Sequence, residues 1–259
     1  MFWRIVEALV RLIYFRRFRA AKKIGEAGKL LGDGRPEEAL ELLERTGRNL
    51  HQTLLPFYAL IRGRILEALG RVDEAEESFK VVVLADPESA KADLELAVLT
   101  GRQFRFDECR TWLDRVDAKP DQDNEDTKEQ AAPIRELLDQ ITSGERELEF
   151  ARRAQAMAEI GLGEQGRAAG LPPDLALVAD WLAREPEQAR EQLDELALLL
   201  GQGEVERGAR WRISLSLEDS VVTREDGSEL NPFEVVDAAI SGTEASLDEL
   251  VAGSWRAPS

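Results

Sequence analysis

The sequence predicts a mainly α-helical protein, a helical-repeat solenoid (αα superhelix) with an N-terminal amphipathic helix and a small C-terminal β-hairpin plus helix. Charged residues make up 33% of the chain and aromatic residues only 6%, the balance of a soluble helical protein and not of a β-sandwich. Apolar residues at helical spacing recur with a period of 34 to 36 residues, which is typical of helical repeats. Apolar residues of the C-terminal segment instead alternate at the spacing of a strand.

The N-terminal segment, residues 1–19, predicts a basic amphipathic helix. Arg4, Glu7 and Arg11 fall on one narrow helical stripe, and apolar residues cover most of the remaining surface as far as Phe15. The segment is too short and too charged to span a bilayer, and most of its basic residues follow the apolar run, unlike those of a cleavable signal. Residues 1–23 carry a net charge of +6 in a chain of −17, so this basic cluster needs its own explanation.

Three interpretations of the N-terminal helix stay open. It lies in the interface of an anionic membrane surface, it packs along the first repeat as a cap, or it contacts another subunit. The residues expected at a membrane or partner contact are Phe2, Trp3, Arg16, Arg17, Arg19, Lys22 and Lys23.

Residues 20–121 contain three similar segments, each placed between two helical patterns. The segments are 34–39, 70–75 and 104–109, and the small residues that close them are 36 and 34 positions apart. Another small residue lies twelve positions before each closing residue, and a large apolar residue lies four positions after it. Two antiparallel helices approach closely only where both present small side chains, so the spacing predicts helical hairpins. The paired small residues are Ala27 with Ala39, Gly63 with Ala75 and Ala97 with Cys109, and the large residues are Leu43, Phe79 and Leu113.

This pattern resembles the tetratricopeptide repeat (TPR) family, whose repeat of about 34 residues has small residues at the helix crossing and a proline near its end. The resemblance is closest over residues 56–89, which include Gly63, Phe79 and the closing Pro87, and it extends over residues 20–121. Phe104 stands where the family usually has glycine. The resemblance implies a scaffold that binds a protein partner in a concave groove.

The same resemblance implies which residues line that groove, because the first helices of TPR repeats form its wall. They are Phe57, Leu60, Arg64, Lys91, Leu94 and Arg102. A mixture of apolar and basic side chains suits a peptide or helix of acidic character. An alternative stays open, in which the apolar members of this set pack between repeats.

Residues 122–203 predict divergent helical repeats. Helical patterns run over residues 127–142 and 145–160, and the segment 184–189 echoes the segment 34–39. The acidic stretch 121–126 and the glycine-rich stretch 161–166 predict loops between them.

Residues 204–259 predict a β-hairpin and a helix that form a cap. Apolar and polar residues alternate from Trp211 to Leu217, and Asp226-Gly227 is typical of a tight turn. Asn231 followed by Pro232 indicates the start of a helix. A lone hairpin is marginal in water, so this one packs on the end of the solenoid or pairs with a partner strand.

The residues of catalytic and metal sites are scarce in this chain. His51 is the only histidine, and Cys109, the only cysteine, occupies the small packing position of its repeat. The sequence has no glycine-rich phosphate-binding motif, and its acidic stretch lacks the spacing of a calcium loop. A net charge of −17 also opposes binding to nucleic acid. We therefore expect no catalytic residues, no cofactor, no metal and no nucleic-acid partner.

These observations predict a protein–protein interaction scaffold of the TPR type. We expect it to be cytoplasmic, and peripheral at the inner face of a membrane if its N-terminal helix is interfacial. The alternative is a self-associating structural subunit, a homo-oligomer joined through the N-terminal helix or the hairpin. An enzyme is the least favoured class.

Overall fold

A computed structural model of the chain describes residues 2–47, 50–120, 124–158, 175–184, 186–241 and 245–257, with the backbone alone at residues 2–16, 176, 177, 180, 183 and 186. Helices dominate this part of the chain, so the prediction of a mainly α-helical protein is confirmed. The glycine-rich stretch 161–166 and the beginning of the acidic stretch, residues 121–123, lie outside the described residues.

The first six helices follow the predicted pairs. Helices α1 to α6 are Phe2–Gly32, Pro36–Gly47, Leu55–Ala68, Val72–Ala85, Lys91–Arg102 and Phe106–Ala118. The N-terminal segment and the first helix of the first repeat form one continuous helix, α1. Because an α-helix rises about 1.5 Å per residue, α1 is roughly 46 Å long.

Three turns between consecutive helices share one backbone conformation. Gly34, between α1 and α2, has a φ of 72°, and Gly70, between α3 and α4, has a φ of 70°. Phe104, between α5 and α6, has a φ of 61°. An L-residue with a bulky side chain rarely adopts this left-handed conformation, so Phe104 keeps the turn geometry of the two glycines at a cost in backbone strain.

The contacts divide the chain into two compact units. The first consists of Met1–Thr100 with Asp107–Pro133, and the second of Gly101–Phe106 with Ile134–Ser259. In the first unit, the small residues that predicted the helix crossings are buried. A Cβ atom built on Gly63 of α3 would lie 2.4 Å from Cε1 of the buried Phe79 ring in α4, so only glycine allows this close approach.

The second unit combines helices with a small antiparallel sheet. Its remaining helices, α7 to α13, are Glu125–Ser143, Glu145–Ala156, Leu175–Arg184, Pro186–Glu191, Leu193–Glu206, Pro232–Ile240 and Leu247–Gly253, of which α7 begins in the first unit. The strands β1 to β3 are Arg210–Arg212, Val221–Thr223 and Glu229–Leu230, and β2 lies in the middle with Trp211 opposite Val222 and Val222 opposite Leu230.

The sheet shares one apolar core with the helices of the second unit. Trp211 packs edge-to-face on Phe150 of α8, with 5.2 Å between ring centroids, and its Nε1 donates to Gln202 Oε1 of α11 at 3.2 Å. This packing provides the apolar support that an isolated hairpin lacks. The predicted helix after Asn231 is present as α12, and the Asn231 side chain accepts hydrogen bonds from Phe233 N and Glu234 N.

The alternation from Trp211 to Leu217 predicted a longer strand than the structure contains. Strand β1 ends at Arg212, and Leu217–Asp219 form a short 3-10 helix. Ser214 N donates to Ser220 Oγ at 3.1 Å, and Ser214 Oγ donates to the carbonyl of Arg102 at 3.2 Å. The backbone N–H of Ser214 therefore bonds to a serine side chain instead of to the carbonyl of a neighbouring strand, and strand β1 ends before this residue.

Candidate functional site

An open cleft in the first unit gathers three of the predicted groove residues. It has a volume of about 460 Å³, and its lining includes Pro56, Phe57, Leu60, Val82 and Lys91. We call it the Phe57 cleft. Residues from α3, the end of α4 and the start of α5 meet here because helical hairpins with short turns bring distant segments together.

Phe57 is the most conspicuous residue of this cleft. It lies in the first turns of α3, and 62% of the residue is exposed. Leu60, one turn later, is half-buried. The exposed phenylalanine and the half-buried leucine form an apolar patch at the edge of the cleft.

A buried asparagine holds one wall of the Phe57 cleft. Asn124 is 3% exposed, and its Oδ1 accepts a hydrogen bond from Ala90 N at 2.8 Å. Its Nδ2 donates to the carbonyls of Glu88 and Pro120 at 3.0 and 2.8 Å. One side chain therefore ties the α4–α5 loop to the segment after α6, which makes the wall well defined.

A buried ion pair supports the same region. Asp93 of α5 is fully buried, and its carboxylate lies 3.0 Å from Arg115 Nε and 3.2 Å from Lys119 Nζ. Lys119 also donates to the carbonyl of Pro87. The two cations compensate the buried carboxylate and connect α6 to the loop that borders the cleft.

Two of the predicted groove cations are paired within the chain. Arg64 Nε donates to Glu95 Oε1 at 2.6 Å, and Arg102, which belongs to the second unit, donates from its Nε to Asp219 Oδ2 at 2.6 Å. Lys91 is exposed and makes no side-chain ion pair within the described residues. The other predicted groove residue, Leu94, is half-buried in α5 and does not line the cleft.

Among the described residues, two of the three charged residues that line the Phe57 cleft are negative. Asp86 and Glu88 stand with Lys91 along the lining. Of the three basic residues predicted for the groove, only Lys91 lines the cleft, and Arg64 and Arg102 pair with acidic residues 31 and 117 positions away. Such distant pairings leave no periodic signal in a sequence.

A second cavity in the first unit is lined by basic residues. It has a volume of about 590 Å³ and lies between α1 and α2. We call it the basic pocket, and its lining residues are Arg19, Lys22, Lys23, Glu26, Arg45 and Thr46, together with Ala20. Four cations and one carboxylate give this lining a net charge of +3, against −17 for the chain.

Three of the predicted membrane or partner contacts, Arg19, Lys22 and Lys23, thus share one cavity. Arg45 was not singled out by sequence, although a signal existed. Lys23 lies eleven positions before Gly34 and Arg45 eleven positions after it, so an antiparallel hairpin brings the two to the same level.

The remaining predicted contacts divide into two groups. Arg17 donates a hydrogen bond to Nε2 of His51 and so turns toward the body of the first unit. The side chains of Phe2, Trp3 and Arg16 lie outside the described residues, although their backbone belongs to α1. Across the helices that the structure describes, none has the length and apolar character needed to cross a bilayer.

Cys109 and His51 lie on different elements, Cys109 in α6 and His51 before α3. Cys109 is fully buried in α6. Within the described residues, no three His, Cys, Asp or Glu side chains are grouped so that they could hold a metal ion.

Comparisons of this chain with known protein families, with curated proteins and with solved structures gave no match.

Proposed function

We propose that the chain is a protein-interaction scaffold of the TPR type that holds a segment of a partner protein in the Phe57 cleft. The exposed Phe57 at the edge of an open cleft of about 460 Å³ carries this proposal. A partner helix or extended segment would cover Phe57 and Leu60 with an apolar side chain of its own, the usual way in which helical grooves bind peptides.

Support for the repeat architecture comes from equivalent positions in the chain. Gly34, Gly70 and Phe104 have φ values of 72°, 70° and 61° and recur at the spacing of the predicted repeats. The small residues at each predicted crossing are buried. A repeated turn conformation together with repeated small contacts is the expected result of stacked helical hairpins.

The charges of the cleft favour a partner with a basic residue beside its apolar anchor. Asp86 and Glu88 line the cleft with Lys91, whereas Arg64 pairs with Glu95. A lysine or arginine on the partner would meet these two carboxylates, which adds specificity more than affinity. This reverses the acidic character that the sequence pattern suggested for the partner.

A defined peptide experiment tests the proposal. A library of random peptides is selected for binding to the full chain, and the affinity of the selected peptides is measured by fluorescence anisotropy. Phe57→Ala is expected to weaken binding by at least about tenfold, because a buried aromatic anchor dominates such contacts. Selected peptides are expected to contain an apolar residue close to a lysine or arginine.

Leu84→Ala is the matched control. Leu84 is 82% exposed on α4 and does not line the Phe57 cleft, so its replacement is expected to leave the affinity unchanged. Equal effects of the two substitutions would show that binding is not centred on Phe57. Light scattering on the same samples reports self-association, and a dimer that Phe57→Ala dissociates would favour the structural-subunit alternative.

We also propose that the chain is held at an anionic membrane surface through α1. The apolar N-terminal segment and three cations of the basic pocket belong to this one helix. Apolar residues followed by a basic cluster are the two signals that peripheral attachment requires.

A further inference from the structure

We infer that the basic pocket binds the phosphate group of an anionic phospholipid, and prefers a terminal phosphate monoester to other anionic headgroups. This inference rests on the proposed attachment to a membrane. It makes that proposal more specific, because it assigns the contact with the lipid headgroup to the residues of one pocket.

The pocket has the positive charge that a phosphate headgroup requires. Arg19, Lys22 and Lys23 come from α1 and Arg45 from α2, around a cavity of about 590 Å³. Guanidinium groups bind phosphate oxygens through paired N–H donors, and lysine adds a compact positive charge. Two lysines and an arginine come from α1 and a second arginine from α2, so cations from both helices of the hairpin can contact one phosphate.

The neighbouring carboxylates leave part of this charge available. Lys22 Nζ lies 3.8 Å from Glu26, and Arg45 pairs with Glu41 on the surface of α2. Lys23 is exposed and makes no side-chain ion pair within the described residues. Exposed ion pairs are weak, so a dianionic phosphate competes effectively with Glu26 and Glu41 for these cations.

The position of the pocket along α1 favours a lipid over a dissolved phosphate compound. Phe15, the last residue of the apolar N-terminal run, lies eight positions before Lys23 on the same continuous helix. Eight residues of α-helix span about 12 Å. A membrane that takes up the apolar run therefore brings its headgroups close to the pocket.

Vesicle co-sedimentation of the full chain tests this inference. Vesicles of phosphatidylcholine contain either phosphatidic acid, whose headgroup is a phosphate monoester, or phosphatidylserine, adjusted to equal surface charge. The unmodified chain is expected to prefer the phosphatidic acid vesicles. In the double variant Lys23→Gln with Arg45→Gln, binding to them is expected to fall about 25-fold, from about fivefold per basic residue, and the preference is expected to disappear.

The control removes the same number of positive charges, one from α1 and one from the residue before α2. Lys29 is exposed on α1 and Arg35, just before α2, forms a surface ion pair with Glu38, but neither lines the pocket. Lys29→Gln with Arg35→Gln is expected to keep the preference for phosphatidic acid. Equal loss of preference in the two double variants, or no preference in the unmodified chain, would overturn the inference and leave membrane attachment itself standing.

Two further results distinguish a lipid headgroup from a dissolved phosphate compound as the ligand. If the chain binds neither kind of vesicle, both the lipid inference and the proposed attachment fail. If titration calorimetry instead detects glycerol 3-phosphate binding that depends on Lys23 while vesicles do not bind, the pocket serves a dissolved phosphate compound and the lipid assignment is wrong.

Discussion

Replacing Gly63 by alanine tests the helix crossing on which the fold depends. A Cβ atom at this position would lie 2.4, 2.7 and 2.8 Å from three atoms of the Phe79 ring, whereas ordinary contacts are about 3.5–4.0 Å. Phe79 is fully buried, so its ring cannot move into solvent. Overpacking of this kind lowers the free energy of unfolding by up to about 3 kcal/mol, and the better helix propensity of alanine offsets about 1 kcal/mol of that loss.

The net expectation is a loss of about 2 kcal/mol in the free energy of unfolding. In a chain of this size, that corresponds to a fall in melting temperature of about 4–8 °C. The same substitution at Gly25, which has no atom within 4 Å of the added Cβ in α1, is expected to raise the melting temperature by about 2–4 °C. Calorimetry or circular dichroism on the two variants measures both shifts.

A double substitution links the effect to Phe79. Phe79→Leu shortens the side chain that meets the new methyl group, so it is expected to be less destabilising in the Gly63→Ala background than alone. The coupling free energy between the two sites is expected to be about 1–2 kcal/mol. A stabilising effect of Gly63→Ala, equal to that of Gly25→Ala, would refute the tight crossing and with it the basis of the repeat alignment.

Three further predictions concern a turn, a loop tether and a helix cap. In urea unfolding, the Phe104→Gly variant is expected to be about 1 kcal/mol more stable than the Phe104→Ala variant, because φ at this position is 61°. At Asp107, in the first turn of α6, the order is expected to reverse, with Asp107→Ala more stable than Asp107→Gly. Asn124→Ala is expected to lower the free energy of unfolding by about 2 kcal/mol in urea, since it leaves the buried Ala90 N–H without its partner, and to weaken peptides selected for the Phe57 cleft. The backbone N–H and side chain of Ser246 lower the pKa of Glu249 below its ordinary value of 4.5, so the stabilisation from this cap is present at neutral pH and is lost as the pH falls from about 4.5 through the lowered pKa. NMR titration of Glu249 checks this direction, and Ser246→Ala is expected to raise its pKa only in part because the backbone N–H remains.

Local sequence pattern was sufficient for the helical hairpins. The spacing of small residues predicted the crossing of Gly63 against α4, and the segments 34–39, 70–75 and 104–109 contain the first residues of α2, α4 and α6. Phe104 stands where the TPR resemblance implies glycine, and its φ is positive like those of Gly34 and Gly70. These features were predictable because turn geometry and helix spacing depend on residues close together in the chain.

The extent of strand β1 was not predictable in this way. Alternation continues to Leu217, but the strand ends at Arg212 because serine side chains take the hydrogen bonds near Ser214. One of those partners is the carbonyl of Arg102, far away in the chain. A periodic pattern describes which faces are apolar, not which groups accept each hydrogen bond.

The same distinction applies to the two cavities. Composition and periodicity identify the helices, the cluster of cations before Lys23 and the apolar residues near Phe57. The pairing of Arg64 with Glu95, the addition of Arg45 to the basic pocket and the wall that Asn124 ties together arise only in the folded chain. Helix formation is governed by neighbours within a few residues, whereas charge pairing and cavity lining depend on groups that folding brings together from distant positions.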